Sequence, residues 1–474
     1  MSKAEAEALY NSGKKPTVKK LLGYFKEIKR LREKIANLEK NSQNSSKPPS
    51  SDSPEDKQKR TENSEKKKSG RKPGGQPGHQ GNKRDLIPVE EVDEVIPCYP
   101  EECRSCKHFR RCKKNQRVGE PLRWQQTEIP PIEPRVTEYQ VFDLSGVCGK
   151  IHKGRLPSDI ARSNFGPRLT AICAYFTAVL RVPRRALQEC LLTLFRVRLS
   201  LGSTQNLLED TSKALEDTCR ELVQELPLQP VVNADETGWH KRWLWIFVVT
   251  GFIYFHVAKS RASTVLRDIF GERYTGILCV DRWGAYTKYH KGLFQICWGH
   301  LKRDFAGVEK VGENIESDEA IGFAQRMEDL RKKLMSIWYR FKDGELTRKQ
   351  LIDKSRHTRA LIWKCLEQHK DSSQRCVKVL AGRLWKRKQH LFTFISHEGV
   401  EPTNNISERG LRSAVQWRKI CFGNRSDRGA VLTSRLLTAT RTCWLKKRDA
   451  LEFLVSAITA HRKGQPAPSL LKSP

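Results

Sequence analysis

No part of this chain is apolar for long enough to cross a membrane. The longest nearly apolar run, Trp243 to Ala258, is broken by Thr250, Gly251 and His256, and it falls short of the roughly 18 to 20 residues a span requires. The opening MSKAEAEALYNSGKKP lacks the apolar core of a secretory signal, so a cytoplasmic protein is expected. Acids are scarce relative to bases: 54 Asp and Glu face 88 Lys and Arg, a formal net charge of +34. An excess that large predicts a polyanionic partner, and with a membrane set aside that partner is nucleic acid. A nucleotide-binding phosphate loop is missing too. GGQPGHQG, residues 74–81, has no preceding strand and no following Gly-Lys-Ser/Thr, which leaves either a plain loop leading into the next domain or a loop touching DNA.

What is present divides the chain. Its 474 residues allow roughly three domains of about 150 residues. Residues 16–40 carry a heptad, with Leu21, Ile28 and Ile35 at one core position, Tyr24, Leu31 and Leu38 at the other, and Lys and Glu on the flanks. Three heptads make a short coiled coil that would pair two copies. A single amphipathic helix docked on its own protein fits the same pattern, since isolated helices this short are marginal. Residues 41–72 are rich in Ser, Pro and Lys with almost nothing apolar. That composition predicts a disordered basic linker, able to touch phosphates without reading sequence.

Residues 73–156 hold four thiols in the pattern C-x4-C-x2-C-x5-C: Cys98, Cys103, Cys106 and Cys112, with Cys148 and His152 further on. In a reducing compartment such clustering predicts zinc rather than disulfides. Clustered thiolates need a cation, and a segment poor in core residues needs a staple. Cys103 and Cys106 form the first pair, with Cys112, Cys98, Cys148 or His152 completing a tetrahedron around one zinc ion. Other cysteines, such as Cys173, Cys190 and Cys279, sit in apolar runs as small core residues. Residues 157–227 read as a helical domain. In it PRRALQECLLTLF and STQNLLEDTSKALEDTCRELVQEL flank RVRLSLG, with Ser203 as the expected cap of the second helix. The pair is either a helix-turn-helix entering the major groove or a hairpin supporting the core, and the second helix's many acids favour the hairpin.

Two apolar runs end in acids: LQPVVNAD at Asp235 and GILCVD at Asp281. Both are therefore expected at the C-terminal ends of strands, where an open α/β sheet collects its functional groups. Residues 228–308 read as strand, hairpin, helix, strand, strand, with the hairpin turning at Thr250 and Gly251. The stretch from Asp281 to Glu408 is too long for one βα connection. Within it, residues 309–394 carry Phe323, Met327, Leu330, Leu334, Ile337 and Phe341 at helical spacing, then Leu361, Trp363 and Leu366. This predicts a helical insertion that either packs on the core or also holds a DNA end. Residues 395–434 return to the core with a helix bearing Glu408. Asn404, Glu408 and Arg412 lie four residues apart and share a face suited to a metal-bound polyphosphate backbone. Residues 435–474 read as helices and a Pro-rich tail.

Three carboxylates on separate elements are what two divalent cations need for in-line displacement at phosphorus. Magnesium, or manganese, is hard and takes oxygen ligands. An isolated acid at a strand end is otherwise a turn former or helix cap. In CWGHLKRDF, Cys297 and His300 are spaced for a metal or a nucleophile, but no second pair is nearby; a hydrogen bond from His300 to structure or phosphate fits better. Arg303 in the same segment, and Arg409, Arg412, Arg418, Lys419 and Arg425 around Glu408, are phosphate contacts or a solvated face.

The segments ADETGW (Ala234 to Trp239), WLWIF (Trp243 to Phe247), VDRWGAY (Val280 to Tyr286), CWGHLKRDF (Cys297 to Phe305) and TNNISERGLR (Thr403 to Arg412), with NSSKPPSSD and GGQPGHQG upstream, resemble in content and order the insertion-sequence-66 transposases. Each motif alone is weak; together they cover most of the chain. The resemblance implies an α/β catalytic core of RNase H-like fold and a DDE transposase that cleaves DNA at the ends of a mobile element and transfers the strand into target DNA. The matching positions are Asp235, Asp281 and Glu408; choosing Asp235 over its neighbour Glu236 rests on that match, since adjacent strand residues face opposite ways. The family usually shows a second CxxC, whose first position here is Ser145, leaving Cys148. The partners implied are terminal repeats and target DNA, a homo-oligomer, and companion proteins of the same element. Two other readings stay open: a structure-selective RNase H-like nuclease that stops after hydrolysis, and a non-catalytic DNA-binding descendant.

Overall fold

The computed structural model describes residues 3–38, 41, 44, 53, 55, 58, 85–115, 118–157, 160 and 163–472. Most of the basic linker and all of GGQPGHQG lie outside the described residues. The chain forms two compact units, residues 58–133, and residues 1–57 together with 134–474. The larger opens with helices α1 (Lys3–Asn11) and α2 (Lys14–Leu38). Among its described residues the smaller holds the short helices α3 (Glu101–Arg104) and α4 (Phe109–Asn115), and Tyr99, just before α3, meets Phe109 of α4 edge-on at 5.3 Å. Among the described residues no helix is long and apolar enough to cross a membrane.

The larger unit resumes with the hairpin β1 (Leu144–Ser145) and β2 (Ile151–His152), then helices α5 (Pro167–Ala178), α6 (Arg184–Phe195), α7 (Leu201–Ala214) and α8 (Glu216–Glu225). The N-cap of α7 is Ser200, whose Oγ accepts from Ser203 N at 2.9 Å. The cap expected at Ser203 thus falls one turn too late: Leu201 and Gly202 are already helical, and the Ser203 hydroxyl bonds that of Ser200. What read as one second helix breaks at Leu215 into α7 and α8.

The sheet comes next: β3 (Val231–Trp239), β4 (Arg242–Val249), β5 (Phe252–Ala258), helix α9 (Thr264–Phe270), β6 (Ile277–Val280), α10 (Gly284–Tyr289) and β7 (Phe294–Ile296). Its order is β5-β4-β3-β6-β7, with β3, β4 and β5 antiparallel and β3, β6 and β7 parallel. Gly251 turns the β4–β5 hairpin at φ +97°, a conformation a side chain would resist. β6 is buried on both faces: Leu278 and Val280 join one apolar core and Ile277 and Cys279 another. β3 outlasts its parallel neighbour, which pairs only with Val231, Val232 and Asn233, while β4 follows it to Trp239. Asp235, expected at a strand end, is therefore inside β3, just beyond the point where β6 stops pairing.

Helices then cover the sheet: α11 (Trp298–Asn314), α12 (Asp318–Lys342), α13 (Arg348–His369), α14 (Arg375–Trp385), α15 (Thr393–Ser396), α16 (Asn405–Cys421), α17 (Asp427–Leu445) and α18 (Ala450–Arg462). Phe323, Met327, Leu330 and Leu334 of α12 are buried with Leu351, Ile362 and Leu366 of α13 in the core beneath β6 and β7. The boundaries drawn at 308/309 and 434/435 cut through α11 and α17, each continuous. Helix α2 lies against α11, and its Arg32 pairs at 3.0 Å with Glu316, just past the end of α11. α17 closes the sheet's edge. Its Ser434, Thr438 and Thr442, four residues apart, accept the amides of Val257, Phe255 and Ile253, two apart on β5. One helical turn matches two strand residues, so an edge otherwise open to another strand is occupied. α18 packs on α5 and α7, where buried Arg462 bonds Asp210, Thr170 and the Phe165 carbonyl. The C-terminal helices thus complete the helical layer of residues 163–227.

Candidate active site

Asp235 lies opposite Ile246 across the β3–β4 ladder, so the two share a face. On that face rests α16, turned inward by Leu411, Ala414 and Trp417. Gly410 lets it approach: a Cβ there would stand 2.5 Å from Ile246 Cδ1. The first turn of α16 carries Glu408. Asp281 follows the last residue of β6 and folds back so that its Oδ1 accepts from Trp283 N at 2.7 Å.

Asp235 feels the other two acids. The Asp235 carboxyl is pushed well above its ordinary range, first by burial, then by Glu236, Asp281 and Glu408. Burial also raises Asp281, although its bond from Trp283 N and the charges of Arg261, Arg282 and Arg303 oppose the shift. Glu408 keeps 35% of its side chain exposed and pairs with Arg303 Nη2 at 3.3 Å. Charge thus ties Asp235 to Asp281 and Glu408, yet among the described residues no three of His, Cys, Asp and Glu stand close enough together to hold a metal ion.

Several residues expected to meet DNA are used differently. Asn404 is 1% exposed and caps α16; its Nδ2 donates to the Ala234 carbonyl at 2.7 Å and its amide to Cys297 Sγ at 3.2 Å. It does not join Glu408 and Arg412 on an open face. Arg418 donates to Thr237 Oγ1 and the Gly238 carbonyl, tying the far end of α16 to β3. His300 is buried with Nδ1 3.7 Å from Glu408 Oε1. Burial, then Arg303 and Arg282, hold its pKa down to about 3, so the ring is neutral at physiological pH. His300 and Arg303 therefore flank Glu408. Arg409, Arg412, Lys419 and Arg425 are exposed.

One buried network carried no signal in the sequence. Glu236 points away from Asp235 and takes Arg261 at 2.5 Å and the Tyr286 hydroxyl. Arg261 lies over the Trp283 ring at 3.9 Å and Trp243 at 4.8 Å. Burial, then Asp281, raises the Glu236 carboxyl, which the Arg261 charge opposes. Tyr286 belongs to the quoted VDRWGAY segment, but nothing marks Arg261, which follows β5 in a loop. Nearby, Arg282 pairs with Asp304 of α11.

The cysteines expected to hold zinc fall in both units. Cys98, Cys103 and Cys106 are exposed and Cys112 half-buried in the smaller unit. In the larger, Cys148 Sγ lies 3.4 Å from His152 Nε2 across the β1–β2 hairpin.

Residues 162–432, more than half of the chain, match the family model described as Transposase IS66 family. Residues 3–85 match one described as Family of unknown function (DUF6444). Uncharacterized protein y4qI of Sinorhizobium fredii (strain NBRC 101917 / NGR234) is 25% identical over 218 residues, 44% of this chain and 39% of the relative. That match spans well under half of the relative's length.

Proposed function

The chain belongs to the IS66 family of transposases, and on that premise we propose that it cuts DNA at the ends of an insertion sequence and joins the freed end to target DNA. The carrying observation is that Asp281 and Glu408, from two other elements, both press their charge on Asp235. Acidic oxygens brought from three separate elements are a fitting donor set for hard divalent cations, and Asp235, Asp281 and Glu408 are the residues that would hold magnesium or manganese. Such ions, when bound, supply activation of the attacking oxygen and stabilisation of the leaving one.

The chain's own contribution is placement. β3 and β6 fix two acids on one rigid sheet, and Asn404 and Arg418 fasten the helix bearing the third. The strand order, antiparallel on one side of β3 and parallel on the other, supports an RNase H-like core. Exposed Arg409, Arg412, Lys419 and Arg425 offer charge to strand phosphates, which positions DNA without reading it. Leu21, Ile28 and Ile35 of α2 stay about half exposed, which supports pairing of two chains on DNA. A strand-transfer assay with a labelled element end and a plasmid target tests the reading. Joined product is expected; cleavage without joining would mean a nuclease, and neither product a DNA-binding descendant.

The smaller unit is also assigned one zinc ion, supported by the C-x2-C spacing of Cys103 and Cys106. Elemental analysis of freshly purified, reduced protein should find about one zinc per chain, lost in the Cys103→Ser, Cys106→Ser double variant. No zinc in the wild type ends that assignment.

A further inference from the structure

Beyond Glu408 along α16, Ser413 enters the wall of a half-open cavity of about 420 Å³, lined also by Tyr175 of α5, Arg181, Arg441 and Trp444 of α17, and Arg448. Its volume lies within the range of small-ligand pockets, about 300–1,000 Å³. The cations in it are not balanced. Arg441 Nε is buried with no hydrogen-bond partner among the described residues. Burial, then the like charge of Arg181, hold the Arg441 guanidinium below its ordinary range. The acid in the wall, Asp449, is committed: its Oδ1 accepts the Leu451 and Glu452 amides at 2.8 and 3.1 Å, capping α18. Two guanidiniums kept together with a buried donor unpaired is an arrangement an anion relieves. Beside them stands an aromatic platform. Trp444 is 57% exposed although Arg441 lies over its ring at 4.1 Å.

We infer that this cavity binds one unpaired nucleotide of a DNA strand, its phosphate held by Arg181 and Arg441 and its base stacked on Trp444. Stacking on an exposed aromatic beside a cationic groove is how proteins take single-stranded bases without regard to sequence, because every base has a π-face. The inference rests on DNA being the partner; a free nucleotide shares the chemistry.

The test is fluorescence anisotropy of the full chain with three labelled duplexes: fully paired, carrying one extrahelical nucleotide, and carrying the same bulge without its base. The bulged duplex should bind about tenfold tighter than the paired one, with the abasic bulge between them. Trp444→Leu and Arg181→Asn should each remove that preference and leave paired-duplex affinity unchanged. Asn suits position 181, where φ is +62°. Equal binding of all three duplexes by the wild type, or a preference that survives in Trp444→Leu, overturns the inference. Failure to bind any duplex counts instead against DNA as the partner. Equilibrium dialysis with deoxyadenosine monophosphate then decides the cavity alone: binding abolished by Trp444→Leu keeps it as a nucleotide site, and no binding removes it.

Discussion

Asp235→Asn, Asp281→Asn and Glu408→Gln should each lower strand transfer by at least about 10³-fold, with DNA affinity close to wild type. The three sit on β3, just past β6 and on α16, so no one of them can stand in for another. Without divalent cations Asp235→Asn and Asp281→Asn should act on stability, and in the opposite sense. Burial raises both Asp235 and Asp281 above their ordinary range, and the charges of Glu236, Asp281 and Glu408 raise Asp235 further. An acid whose folded pKa is raised contributes stability that is complete below its unfolded value and is lost as pH rises through the folded one. The contribution of these two acids to the metal-free wild type should therefore fall as pH climbs from about 4 toward neutrality, against the opposite trend from buried His300. Asp235→Asn, with no charge to bury, should show a flatter profile and melt higher at neutral pH. Magnesium should raise the wild-type melting temperature at neutral pH and leave that of Asp235→Asn nearly unchanged. Calorimetry with and without magnesium, beside the strand-transfer assay, reads both effects. Undiminished transfer by all three variants would remove the acids from the chemistry.

How much of this was legible depends on how local the cause is. The β4–β5 hairpin announces itself by two β-rich runs around Thr250 and Gly251, and Asp281 by the apolar strand that it ends. The stripe from Phe323 to Leu334 marks α12 by spacing alone. Asp235 looked terminal because the apolar run stops there, but the strand is prolonged by pairing with β4, a partner whose reach the run does not show. The boundaries that fell inside α11 and α17 cut helices that each stay in one core, Leu301 to Val308 in that of α12 and Ala430 to Cys443 in that of the sheet. Least legible were the polar side chains. Arg418 and Arg409 have the same chemistry, and only the approach of β3 to the end of α16 makes one a structural tie and leaves the other exposed. Glu236 and Arg261 meet across a fold that neither segment encodes by itself.

Asn404 is where these arguments meet, and its substitution should be among the most damaging outside the acids. Past Asn233 the parallel partner of β3 has ended, so the Ala234 carbonyl loses a strand donor on that side just before Asp235. The Asn404 side chain supplies the missing hydrogen bond at 2.7 Å from the start of the helix that carries Glu408. Asn404→Ala leaves a buried carbonyl unpaired, which should cost about 1–3 kcal/mol of stability. It also frees the Glu408 helix to drift from the Asp235 strand, and a displacement of about 1 Å at such a site lowers turnover roughly 10²-fold. Asn404→Asp should be worse, because a carboxylate would face the carbonyl with an acceptor where a donor is needed. Affinity for DNA should change little in either variant, since the residue is 1% exposed. Thermal unfolding, DNA titration and strand-transfer rate on the same preparations separate the roles. A variant that keeps its stability and turnover but loses DNA affinity would return Asn404 to the open, phosphate-facing position its sequence spacing from Glu408 and Arg412 implies.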